Sequence, residues 1–273
     1  MSLISMRQAL LVATLSFPFV TPPAMGWDGQ ISAEYAKTFA PSDPVINFGL
    51  SLSQRLNKTF GLFLSQDVEK NMVIDSSKDE LEAADTRFGV KIYPTSLIDD
   101  VSWLLTLSAT LPTSKDSRHD QIHSKPEIKL GAAYQPWSWL TISGSAMGRY
   151  YIEKFETAPT HAGEGGEVLP NYRLGLGQGT SVNLGGFSFG YDYGYRETTD
   201  HAVKQTAANN AYLNEKADQG YSVSLYFSRE LWTGASLSGS FSQGSALVHE
   251  GWEDYVLFDN EESSWGVGFS QSF

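Results

Sequence analysis

Along most of this chain, apolar residues alternate one by one with small or polar ones, and few patterns restrict a fold more. The clearest stretch is about Val45 to Leu56, where Ile46, Phe48, Leu50 and Leu52 are separated by Asn47, Gly49, Ser51 and Ser53. A period of two puts every second side chain on the same face of an extended strand, so one face is apolar and the other is not. The last stretch has the same design. Trp265, Val267 and Phe269 alternate with small residues, Gln271 interrupts the series, and Phe273 closes it.

Twelve such stretches are predicted. The first seven are about Asp28 to Thr38, Val45 to Leu56, Phe60 to Glu69, Asp85 to Tyr93, Val101 to Leu111, Glu127 to Gln135 and Trp139 to Ile152. The eighth shows Tyr172, Leu174 and Leu176, and the segment Gly177 to Thr180 reads as the turn that ends it. The ninth runs from Val182 to Tyr195, with a change of phase at Gly185-Gly186 that reads as a β-bulge. The tenth shows Tyr221, Val223, Leu225 and Phe227, the eleventh Ala235, Leu237, Gly239 and Phe241, and the twelfth is the stretch ending at Phe273. In the longest connection, Ala207 to Lys216 could form a short helix.

No run of 18 or more apolar residues is present, so no helical membrane span is expected. The mean hydropathy of −0.24 is compatible with a membrane barrel, whose strands offer lipid only every second residue. There is no Cys, so no disulfide holds the fold, and a closed hydrogen-bonded sheet would meet that need. Connections after even-numbered stretches are short, and those after odd-numbered ones are mostly long. That sorting, with an even strand count, is the asymmetry of bacterial outer-membrane barrels.

The alternating final stretch with its terminal Phe resembles the C-terminal strand of Gram-negative outer-membrane β-barrels, where it serves as the assembly signal. The resemblance implies an all-β, twelve-stranded antiparallel transmembrane barrel in the cell outer membrane. It further implies a monomer whose partners are outer-membrane lipid, lipopolysaccharide and the barrel-assembly machinery. Residues 1–26 fit a secretory leader: Arg7 is the only charge before Asp28, Ala9 to Val20 is apolar, and Ala24-Met25-Gly26 offers small residues for cleavage, leaving 27–273 as the barrel. A buried N-terminal helix is the alternative for that segment.

Aromatic residues fall at both ends of the stretches. Trp27, Trp103, Trp137, Trp139 and Trp232 are expected at the periplasmic rim, and Tyr150, Tyr193, Tyr195, Tyr221 and Trp265 at the outer rim. The net charge is −12, and it becomes −13 once Arg7 leaves with the leader. The six long connections account for all of it, and the last is the most acidic, with Glu250, Glu253, Asp254, Asp259, Glu261 and Glu262. Divalent-cation binding there is one reading and a solvated loop the simpler one, since no spacing matches a calcium loop. The acidic exterior disfavours nucleic acid. No metal cluster or cofactor motif is present.

Residues of opposite parity should face the lumen. They include Arg55, Arg87, Lys91, Lys129, Arg149, Arg173 and Arg196, together with Glu34, Asp67, Glu69, Glu127 and Asp192, amid Ser, Gly, Thr and Asn. Such a lumen is either a watery path whose basic side chains select anionic solutes, or a plug of Arg–carboxylate pairs that closes the barrel. Twelve strands with lumenal arginines are similar to the small monomeric porins for acidic oligosaccharides. The resemblance implies passive diffusion of small hydrophilic, anionic solutes, with those seven basic residues in contact with the solute. A closed structural or surface-interaction barrel working through its acidic loops is the rival.

An outer-membrane hydrolase ranks last. All five His, at 119, 123, 161, 201 and 249, fall in predicted loops, and none makes the His-x-Ser pattern of the outer-membrane phospholipases. His119-Asp120 and Asp200-His201 have the chemistry of omptin-type proteases but not the Asp-x-His spacing, and neighbours on an extended chain point apart. No catalytic residue is assigned.

Overall fold

In the computed structural model the described residues are 27–39, 44–72, 81–94, 98, 100–155, 169–201, 217–248 and 263–273. The leader, the 207–216 segment and the acidic stretch 250–262 lie outside them. Twelve strands dominate: β1 (Trp27–Thr38), β2 (Val45–Arg55), β3 (Phe60–Asn71), β4 (Thr86–Ile92), β5 (Val101–Leu111) and β6 (Glu127–Trp137). They continue as β7 (Leu140–Tyr150), β8 (Pro170–Leu184), β9 (Phe187–Asp200), β10 (Ala217–Trp232), β11 (Ala235–Val248) and β12 (Ser264–Ser272). Each pairs antiparallel with its neighbours in the chain, and β1 pairs with both β2 and β12, so the sheet closes on itself. Closure removes every sheet edge, which makes a strand structure viable in lipid.

The closing seam extends beyond the last strand: Gly29 and Phe273 exchange both backbone hydrogen bonds at 2.9 Å. Strands β2, β5, β6 and β7 have 11 residues each, enough to cross a hydrocarbon layer at a tilt. Strands β8 to β11 have 14 to 16, so this side of the wall stands taller. No helix among the described residues is long and apolar enough to cross a membrane.

Register confirms the parity. Ile31, Leu50 and Gln271 share the outer face, as do Leu64 and Phe88, and Leu130 and Ala146. Outer-face residues such as Leu50, Leu130, Leu176, Phe189 and Leu225 are exposed all round the barrel. In water, so continuous an apolar belt would drive aggregation, whereas lipid covers it at no cost. Gln271 is the misfit of the closing strand, and its Oε1 accepts a hydrogen bond from the Trp232 indole N–H at 3.1 Å. The pair sits at the end with the short turns, where polar groups meet headgroups.

Two sequence-based assignments are corrected. Gly177 to Thr180 is not a turn but the middle of β8, and the turn is Gly185-Gly186, with φ of +58° and +84°. Two successive left-handed residues make the tight hairpin turn that glycine favours, so the proposed bulge is this turn. Tyr193 consequently sits in mid-strand, opposite Gln178 and Val223, rather than at the outer rim. The long connections also carry structure: a short helix, Lys115–His119, and a small ladder between Ile122–Ser124 and Ile152–Glu153.

Candidate functional site

The inner face has two unlike walls. From β10 round to β3 it is hydroxyl-rich, with Ser236 beside Ser270 at 2.8 Å and Ser242 beside Ser264 at 2.7 Å. Glu34, Asp67 and Glu69 stand on this side, and Ser240 donates to Glu34 at 3.2 Å. From β4 to β9 the inner face carries six of the seven predicted basic residues, with Glu127 and Asp192 among them.

Register orders the basic wall. Lys91 is opposite Thr106, Thr106 opposite Lys129, Lys129 opposite Met147, Met147 opposite Gly175, and Gly175 opposite Arg196. One row across six strands thus bears three cations. Lys91 and Lys129 are two strands apart, so their Cβ atoms are about 10 Å from each other. Because barrel strands tilt, a row perpendicular to them climbs as it goes round, and the cations form a spiral rather than a ring. Lys129 and Arg196 are exposed, as are Asp67, Glu69 and Asp192. Lys91 Nζ lies 5.4 Å from the Phe63 ring centroid, a cation–π distance.

The other four basic residues are engaged. Glu127 sits between Arg87 and Arg149: its Oε1 accepts from Arg87 Nη2, and its Oε2 accepts from Arg149 Nε at 2.9 Å and Nη2 at 2.5 Å. The Glu127 side chain is only 5% exposed. Arg173, directly opposite Arg149, donates from Nε to Thr198 Oγ1 at 3.0 Å. Arg55 stands at the turn end. It folds onto the β2–β3 turn, donating to the carbonyls of Asn57 and Lys58 at 3.4 and 3.1 Å, with its guanidinium 4.6 Å from the Tyr93 ring centroid. The parity of all seven was legible; the register that groups three and the contacts that occupy four were not.

Two polar clusters lie at the loop end. Asp85 accepts from Ser114 N at 2.9 Å, Ser117 Oγ at 2.5 Å and Lys125 Nζ at 2.8 Å. Burial alone would raise its pKa, but Lys125, Ser117 and Ser114 outweigh it and hold the carboxyl at about 2. Glu153, on the short ladder, faces His201, and a cavity of about 260 Å³ is lined there by Tyr150, Tyr151, Phe155 and those two residues among others. His201 Nε2 lies 3.5 Å from Glu153 Oε2. Among the described residues no group of three His, Asp or Glu is arranged to hold a metal ion.

A closed barrel with an apolar belt outside and a polar, charged inner face is a transmembrane β-barrel of the outer-membrane kind. Solved structures share this fold. The chain is similar to the COG4313 outer-membrane channel from Pseudomonas putida F1, at 9% identity over 94% of this chain and 99% of that one, with a TM-score of 0.60. The NanC porin gives 8% identity, 89% and 98% coverage and a TM-score of 0.54. The KdgM porin gives 10%, 89% and 99%, and 0.52. At these identities the likeness is one of fold. No family model and no curated protein matches the chain.

Proposed function

We propose that the protein is an outer-membrane channel through which small hydrophilic solutes diffuse passively, anionic ones preferred. The observation that carries this is the row of Lys91, Lys129 and Arg196 on the inner wall, with Lys129 and Arg196 exposed in the bore. A plug would have spent these charges in pairs. Instead the side chains of Lys129 and Arg196 make no hydrogen bond or ion pair among the described residues. The similar solved structures are porins and an outer-membrane channel, which supports the same reading.

A solute anion crossing the bore passes within about one Debye length, ~8 Å, of this row, so the row attracts it even in salt. Of the seven basic residues assigned to solute contact, we assign direct contact to Lys91, Lys129 and Arg196, whose inner-face row supports that role. Arg87, Arg149 and Arg173 shape the wall, and Arg55 guards the turn end. The protein acts as a monomer in lipid and lipopolysaccharide, exported by its leader and inserted by the barrel-assembly machinery, with short turns periplasmic and long loops outside.

Planar-bilayer recording of the purified protein tests the proposal. Stepwise conductance with a reversal potential on the anion side is expected in a salt gradient. Absence of steps at any voltage would leave the closed barrel, and a cation-side reversal potential would move selectivity to the acidic loops. Lipid or peptide hydrolysis that co-purifies with the barrel would revive the enzyme.

A further inference from the structure

Two cations of the basic wall, Arg87 and Arg149, converge on one carboxylate, which stands at the loop end of β6. We infer that Glu127 sets the ion preference of the bore by withholding Arg87 and Arg149 from the solute. The inference rests on the channel reading above.

The geometry supplies the reason. Glu127 gives one oxygen to each guanidinium, from β4 on one side and from β7 on the other. Three charges therefore act as a single positive one. The Glu127 side chain is 5% exposed, while those of Arg87 and Arg149 are 35% and 24% exposed, so the guanidiniums border the bore and the carboxylate lies behind them. Arg87 is steadied further by Ser108 Oγ, 3.2 Å from its Nε, and by the Phe63 ring, 5.7 Å from its Cζ. Arg149 is directly opposite Arg173, a like-charge pair that destabilises a sheet unless a counter-charge is near. Glu127 is that counter-charge. Without it, two bordering arginines would swing into water and present full charges to the solute.

Glu127→Gln raises the local charge by one. The anion-to-cation permeability ratio, from reversal potentials in a potassium chloride gradient, is expected to rise about twofold or more, as one extra unit charge across several ångströms of water requires. Glu127→Gln with Arg149→Gln restores the wild-type local charge and is expected to return the ratio toward wild type. Heat-modifiable gel mobility reports assembly of each variant. Where Glu127→Gln does not assemble, Arg149→Gln alone decides, with a lower ratio expected. An unchanged ratio in the deciding variant overturns the inference, as does a double variant that behaves like Glu127→Gln, since that would mark a packing effect. A wild-type protein that does not conduct overturns the channel reading and this inference with it. A conducting wild type with an indifferent Glu127 overturns only the latter.

Discussion

Glu153 Oε2 lies 3.5 Å from His201 Nε2, and neither oxygen of this carboxylate takes a hydrogen bond among the described residues. The side chain is 2% exposed. Burial pushes its pKa from 4.5 up to about 7, with Asp120 and Asp200 adding to the shift and Lys125 opposing it. A carboxyl whose folded pKa is raised costs nothing below its unfolded pKa, and the cost grows until the pH passes the folded one. Here the penalty is absent below about pH 4.5 and complete above about pH 7, on the order of 3 kcal/mol. The ladder of Ile122–Ser124 with Ile152–Glu153 carries it. Amide protection there, corrected for intrinsic rate, is expected to fall as the pH rises from 5 to 8. Glu153→Gln should flatten that dependence, and an equally steep fall in the variant would contradict the assignment.

Asp85 has the opposite linkage. Its pKa is held at about 2, so its contribution is full above about pH 3.8 and is lost as the pH falls toward 2. Lys125→Met removes the charge partner of a carboxylate that is only 10% exposed. A loss of about 3 kcal/mol is expected at the upper end, local to the Lys115–His119 helix. Its N-cap bond, Ser117 N–H to Ser114 Oγ at 3.1 Å, gives the probe: exchange of the Ser117 amide. Breaking the exposed Lys115–Glu82 pair, at 3.5 Å, should cost under about 1 kcal/mol and leave that amide protected.

Strand count, facing and the lipid belt were readable because period-two alternation is local: each residue needs only its neighbours to declare a side. The reading went wrong at Gly177 to Thr180, where chain chemistry resembles a turn. Gly175, Gly177 and Gly179 are inner-face residues of one strand, and Asp192 lies over Gly179 so closely that a Cβ there would be 2.2 Å from its Oδ1. Such glycines make room for a cross-strand partner, and the partner is named only by register. Gln271 is the same lesson on the outer face, since its partner Trp232 is 39 residues away. The Lys91–Lys129–Arg196 row and the Glu127 clasp were out of reach for that reason: both depend on the stagger between strands, which parity does not contain.

The seam offers a test of stagger. The Phe273 ring lies over Gly29, where a Cβ would be 2.3 Å from its Cε2. Gly29→Val must displace the ring from the closing pair, an overpacking worth about 1–3 kcal/mol. A lower midpoint for heat-induced loss of the compact gel band is expected. Gly148→Ala is the control, because a Cβ there meets only Ile128 and Leu174 at 3.8 Å, an ordinary contact. Equal behaviour of the two variants would mean the ring is not where the seam needs it.

The seven basic residues should not be equivalent in a channel. Lys129→Gln or Arg196→Gln removes an exposed charge from the spiral row, and each is expected to lower the anion-to-cation permeability ratio about twofold. Arg55→Gln is expected to leave the ratio nearly unchanged, because that guanidinium is bound to the Asn57 and Lys58 carbonyls and packed on Tyr93. Its loss should instead loosen the β2–β3 turn, which also depends on Asn57 Oδ1 accepting from Thr59 N and Phe60 N at 2.8 Å. Recording at rising salt separates charge from shape. At 1 M the Debye length shrinks to about 3 Å, so the differences among the variants should fade if charge is their cause. A difference that survives 1 M salt would mean that Lys129 and Arg196 act by narrowing the bore, and an Arg55→Gln effect as large as theirs would mean that the row is not the selective element.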